Sequence, residues 1–218
     1  MTTPNALEPA IGGLLATPTS RLPYQANVLI RSFVLPRADG NVIVYNSPGI
    51  TEVAADIGRI GGATRLLINH AHEGMYGQPD LDVPAYVHER DRAEIGRSLP
   101  IAGVFTDRQM IADDLEVIPT PGHTAGTTSY LWDNGEHRFL FTGDFLWIEN
   151  GEWKAVVLDA HLRADYLASL ALVRDLDFDV LVPWGVTDDG PPFVIVERAE
   201  REERIEIVID RVKAGRSR

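Results

Sequence analysis

Leu66-Leu67-Ile68-Asn69-His70-Ala71-His72-Glu73-Gly74-Met75 decides how this chain is read. A short apolar run, of the kind that fills a buried strand, stops at two histidines spaced i, i+2. On an extended backbone alternate side chains share a face, so both imidazoles point the same way. Two co-directed imidazoles at a strand end are half of a metal-binding set, because a tetrahedral ion asks for further N, O or S ligands.

Six histidines are present, at 70, 72, 88, 123, 137 and 161. His123 lies in Thr120-Pro121-Gly122-His123-Thr124-Ala125-Gly126, a glycine-bounded turn at a predicted strand end. Asp144 follows Phe139-Leu140-Phe141-Thr142-Gly143, again directly after an apolar strand. Three separate strand ends therefore present ligand-type side chains, and His70, His72, His123 and Asp144 are the candidate metal set. Three imidazoles with an open fourth position can acidify a water molecule towards neutrality. His88, His137 and His161 lie outside these stretches and read as surface residues. Glu73 reads as a solvent-facing loop carboxylate, turned away from His72 if the chain stays extended. The tryptophans 132, 147, 153 and 184 read as core or rim packing.

The flanking sequence predicts an α/β chain. Strands are expected at 27–34, 41–46, 65–69, 85–88, 115–119, 127–132, 138–142, 179–182 and 193–196, with hairpin turns at Asp39-Gly40 and Asn134-Gly135. A helix is expected from Thr51, as N-cap, to about Gly61, with Val53, Ile57 and Ile60 on its apolar face. A polar helix follows at 89–97, and residues 73–84 are expected to form a loop. Leu162, Tyr166, Leu170 and Val173 mark another helix. Ile205, Val208, Ile209 and Val212 give the closing helix an i, i+3, i+4, i+7 stripe. The reading is one domain over 1–218, with a loose lead-in at 1–10 and the terminal helix within 197–218.

Composition narrows the partners. The chain has 218 residues, 20 basic against 32 acidic, and a formal net charge of −12. That sign opposes polyanion binding and a polybasic membrane anchor, so neither nucleic acid nor membrane is expected as a partner. There is no cysteine, which excludes thiolate nucleophiles, disulfides and Cys-ligated zinc. Met1 to Pro9 lacks the basic and apolar regions of a signal peptide, and a cytoplasmic location is expected.

In order and spacing these stretches resemble the metallo-β-lactamase superfamily, from about Asn27 to Gly185. The family's opening strand pair, with an early Asn and a closing Asp, falls on Asn27 and Asn46. Its H-x-H-x-D-H motif falls on His70 to Met75, and its P-G-H-T-x-G motif is matched in full by Pro121 to Gly126. Its strand ending Gly-Asp is matched by Gly143-Asp144, and its last P-G-H loop falls on Pro183-Trp184-Gly185. The resemblance implies a four-layered αβ/βα sandwich with the site at its edge, and a first metal held by His70, His72 and His123.

The departures bear on activity. Where the family holds a second metal, this chain has Gly74, Met75, and Trp184 or Gly185; only Asp144 is kept. One Zn²⁺ or Fe²⁺ is therefore expected, and no second metal unless Glu73, Asp188 or Asp189 moves in. Asn46 removes a charge that would support the ligands, and Trp184 is placed to plug the pocket. The resemblance implies a mononuclear metallo-hydrolase acting on an ester, thioester, lactone or related small molecule. Its rivals are a catalytically silent binding or regulatory protein and, more weakly, oxygen chemistry on iron. A homodimer is the assembly expected.

Overall fold

The computed structural model describes residues 6–187 and 190–216. Alternation along two strands sets the layers. In Asn41–Val44, Val42 and Val44 face one way and Ile43 the other; in Arg138–Phe141, Phe139 and Phe141 oppose Leu140. Each strand is buried on both faces, so each sheet needs a cover on both sides. Val42, Val44, Phe33 and Leu67 meet Phe139, Phe141, Tyr130 and Val182 in the central core. Ile43 packs outward with Ile50, Ile57 and Ile95, and Leu140 packs outward with Tyr166, Leu170, Ile205 and Ile209. Helix, sheet, sheet, helix is the resulting order of layers, the sandwich the sequence implied.

One sheet has seven strands in the order Glu8–Pro9, Leu15–Ala16, Phe33–Leu35, Asn41–Val44, Ala63–Leu67, Ala85–His88, Ile101–Phe105. The facing sheet has six, in the order Gln109–Ala112, Leu115–Pro119, Thr128–Asp133, Arg138–Phe141, Val180–Val182, Val194–Ile195. A third sheet of five strands, in the order Glu152–Lys154, Trp147–Glu149, Gly185–Thr187, Gln25–Ile30, Ser20–Leu22, adds Val28 and Ile30 to the central core. Short helices Gly49–Glu52, Ala54–Arg59 and Arg92–Ile95 cover the first sheet. Arg163–Asp175 and Arg198–Lys213 cover the second, burying Tyr166, Leu170 and Val173 and the full stripe Ile205, Val208, Ile209, Val212. No helix among the described residues is long and apolar enough to cross a membrane.

Several local expectations are corrected. The strand expected over 27–34 is two strands in two sheets, Gln25–Ile30 and Phe33–Leu35, separated where the buried Ser32 hydroxyl meets that of Ser47 at 2.7 Å. The first helix starts at Gly49, breaks at Val53 and ends at Ile60, whose side chain is exposed. Thr51 does not cap it; its hydroxyl accepts from the Asp80 amide. The expected helix at 89–97 is a 3₁₀ turn, Glu89–Asp91, followed by Arg92–Ile95. The lead-in carries a short strand, Glu8–Pro9, paired with Leu15–Ala16. Strands at 101–105, 109–112, 147–149 and 152–154 were not anticipated.

Candidate metal centre

The strand Ala63–Leu67 delivers the first two histidines, but not by staying extended. His70 is extended, with φ −153° and ψ 166°, and Ala71–Tyr76 then coils into a 3₁₀ helix, so the expected loop begins as a turn. The cause is Glu73. Its carboxylate accepts from the backbone amides of Asn46 at 2.6 Å, Asn69 at 2.8 Å and His70 at 3.2 Å, which folds the chain back on itself. Glu73 is fully buried rather than solvent-facing, and the turn brings the His72 ring to 5.2 Å from that of His70.

The opposing sheet supplies the other two. Buried Asp91 holds the turn around His123: its carboxylate accepts from the Gly126 amide at 2.8 Å and the Thr124 hydroxyl at 2.5 Å. A Cβ on Gly126 would stand 2.6 Å from the Asp91 carboxyl carbon, so the glycine is what admits this contact. The Gly143-Asp144 turn after Arg138–Phe141 is equally tight. Gly143 has φ +58°, and a Cβ there would lie 1.8 Å from Asn69 Oδ1.

Nδ1 of His72 lies 3.0 Å from Nε2 of His123. Asp144 Oδ2 lies 3.5 Å from His70 Nε2 and 3.7 Å from His123 Nε2. One candidate ligand atom from each of the four residues falls within 4.8 Å of the others. The hydrogen bonds behind them fix which ring nitrogens carry protons. His123 Nδ1 stands 2.9 Å from the Val156 carbonyl, which can only accept, so Nδ1 donates and Nε2 keeps a lone pair. His70 Nδ1 stands 3.0 Å from Asn69 Oδ1, the amide being oriented by its NH₂ on the Thr128 carbonyl, and 3.3 Å from Glu73. Its Nε2 is likewise a lone pair, buried and without any hydrogen-bond partner.

Two imidazole lone pairs and a carboxylate thus converge with His72 Nδ1. His123 Nε2 can accept from His72 Nδ1–H, but His70 Nε2 has no hydrogen-bond donor and faces the Asp144 carboxylate at 3.5 Å. A cation between them satisfies both, and the residues fit a divalent metal. Burial, then the neighbouring His70, pushes His72 down, and the same causes push His123 down to about 3, so both are neutral ligands at neutral pH.

Beside this group no second ligand set assembles among the described residues. Glu73 is tied behind His70, Gly74 offers no side chain, and Met75 sits half-exposed at a cleft. Asp188 and Asp189 lie outside the described residues. Trp184 is buried with its ring 5.2 Å edge-on from His70 and its indole N–H donating to the Asn46 carbonyl at 3.1 Å. The cleft, about 670 Å³, has His72, His123 and Asp144 in its lining.

Reading residues one at a time missed Glu73, Asn69, Asp91 and the Val156 carbonyl; only Glu73 and Asn69 stood in the quoted stretch, and nothing there marked Glu73 as buried. His88 is also buried, its Nδ1 accepting from the Arg90 amide at 3.1 Å. His137 pairs with Asp179 at 2.7 Å, and His161 is exposed.

The layered fold and its strand-end His/Asp group define the class of the chain, a metal-site sandwich, and comparison with known families agrees. The family model for the metallo-beta-lactamase superfamily matches residues 58–186, and the chain belongs to that superfamily. No curated protein matches. Among solved structures, the DIM-1 metallo-beta-lactamase superposes with a TM-score of 0.68 at 18% identity, over 92% of this chain and 96% of that one. The metallo-beta-lactamase GOB-18 from Elizabethkingia meningoseptica gives 0.63 at 14%, over 96% and 90%. A metallo-beta-lactamase family protein from Thermus thermophilus gives 0.63 at 17%, over 94% and 80%. At these identities the likeness is one of fold.

Proposed function

We propose that the chain is a mononuclear metal-dependent hydrolase acting on an ester, thioester, lactone or related small molecule. One observation carries the reading: the lone pairs of His70 and His123, each set by a hydrogen bond on the far ring nitrogen, meet the Asp144 carboxylate in one place. His70, His72 and His123 would hold a single Zn²⁺ or Fe²⁺. When bound, such an ion supplies Lewis acidity, lowering the pKa of water and polarising a carbonyl oxygen. Asp144, with a side chain 20% exposed, is the carboxylate of the set that reaches the cleft. It either completes the ligand shell or orients a water by accepting its proton at Oδ2. Trp184, itself buried, packs edge-on against the buried His70 ring.

A cytoplasmic protein, without nucleic-acid or membrane partners and assembling as a homodimer, completes the proposal; the acidic balance supports the first exclusion. A non-catalytic binding protein is the second reading, supported by Gly74, which carries no carboxylate, and by the engagement of Glu73 with three amides, which withdraws it from service as a base.

Elemental analysis decides metal binding. Recovery of less than about a tenth of an equivalent of any transition metal after reconstitution overturns the first reading. Turnover across ester, thioester, lactone and phosphodiester panels, abolished by His72→Ala, overturns the second.

A further inference from the structure

We infer that the cleft beside the metal group selects uncharged, apolar acyl compounds, and that a negatively charged group on the ligand is rejected. The inference rests on the hydrolase reading only in calling the ligand a substrate; the cleft's selectivity is a property of its walls.

Eight large hydrophobic side chains are exposed among the described residues, and three of them, Tyr24, Met75 and Leu158, stand at the mouth of this one cleft, 63%, 47% and 53% exposed. Their convergence, with Ile60, Val104, Met110, Ile195 and Ile207 lying elsewhere, marks a ligand groove rather than ordinary surface scatter. Deeper in, Val28 and Ile30 on one wall face a space that also touches Trp147 and Trp184. The volume, about 670 Å³, suits a drug-sized or fatty-acyl molecule.

Charge sharpens the class. Arg97 is the one lysine or arginine in the lining among the described residues, and it is exposed at the rim, three residues after Glu94, which lines the same cleft. Asp144 and Glu149 add two more carboxylates, and Lys154, which pairs with Glu149, is not part of the lining. A ligand anion would find no buried guanidinium or ammonium to replace its hydration, and would enter past Glu94, with Asp144 adding a second unpaired carboxylate when no metal is bound. An uncharged alkyl or aryl chain loses nothing on entering.

The test is equilibrium binding, read from tryptophan fluorescence because Trp147 and Trp184 line the cleft, with and without added Zn²⁺. The probes are methyl ketones from 2-hexanone to 2-decanone, which cannot be hydrolysed, and alkyl sulfonates of matched length, which are poor metal ligands. Affinity for the ketones is expected to rise about three- to fourfold per added methylene, as full burial of each CH₂ requires. Matched sulfonates are expected to bind at least tenfold more weakly. Leu158→Lys, at an exposed position that leaves the core intact, should weaken the longest ketone at least fivefold and narrow the gap to its sulfonate. Arg97→Ala should shift ketone binding by less than about twofold, and Met110→Lys, exposed outside the cleft, should leave it unchanged. Ketone affinity that is flat with chain length overturns the inference, as does sulfonate binding that is tighter and lost in Arg97→Ala. Failure of the hydrolase reading is separate: it appears as absent turnover while the ketone series still holds.

Discussion

Glu73 accepts a 2.6 Å hydrogen bond from the backbone amide of Asn46, 27 residues earlier in the chain, and it does so fully buried. With the Asn69 and His70 amides, this places one carboxylate behind the metal group although Asn46 itself is neutral. Glu73→Ala leaves three buried N–H groups without an acceptor, and is expected to destabilise the protein by about 3 kcal/mol or more in urea unfolding. Glu73→Gln keeps the shape but removes the charge beside His70 Nδ1. It should cost less stability, about 1–3 kcal/mol, and weaken metal affinity about 10–100-fold in a chelator competition. Equal losses for the two variants in both measurements would reduce Glu73 to a packing residue.

Gly143→Ala is expected to act on the metal group without touching a ligand. The backbone there has φ +58°, and the new methyl would overlap Asn69, whose Oδ1 accepts from His70. A stability loss above about 2 kcal/mol, with weakened metal binding, is expected from strain and displacement together. Unfolding and metal titration on the same sample check both parts.

Metal removal should lower the melting temperature. A ligand present at about 100 times its Kd stabilises by about 2.7 kcal/mol. Added Zn²⁺ is therefore expected to raise the transition of chelator-treated protein in a concentration-dependent way, and to leave the transition of His123→Ala nearly unmoved.

The metal-free protein should lose stability on acidification. His72 and His123 bind protons less readily in the fold than in the unfolded chain, His123 down to about 3, so unfolding takes up protons below the unfolded value near 6.5. Stability then falls as pH drops through that window, by up to about 1.4 kcal/mol per pH unit for each such group. His70 works the other way. Burial lowers it, but Asp144 and Glu73 outweigh burial and raise it, so its contribution is present at acid pH and lost as pH rises through its folded value. With two groups against one, urea midpoints between about pH 4 and 7 should rise with pH. Bound metal should add to this slope, since protons and metal compete for the same lone pairs.

Much of the architecture was legible because burial on two faces leaves a strong trace. Asn41–Val44 and Arg138–Phe141 read as strands, and the stripe Ile205 to Val212 as a helix, since local pattern and tertiary packing agree there. The four converging side chains were legible as strand-end residues. The hairpin at Asn150-Gly151 was legible too, and was missed: both residues have positive φ, 53° and 77°, as the Asn-Gly signal demands between Trp147–Glu149 and Glu152–Lys154. The burial of Glu73 and Asp91 was not legible. Their partners include an amide 27 residues away for Glu73, and a hydroxyl and an amide 33 and 35 residues away for Asp91, and no local pattern encodes such contacts.

The four candidate ligands divide between the two facing sheets, His70 and His72 on one, His123 and Asp144 on the other. During synthesis the growing chain therefore offers only a histidine pair until His123 emerges, and the full set of four only after residue 144 has left the ribosome and the second sheet has docked. A pair of imidazoles on an unfinished fold competes poorly for scarce metal, so loading is a late event that waits on the mating of the two halves. A metal ion seated there would bolt the sheets together at their open edge, and its escape would begin with their parting.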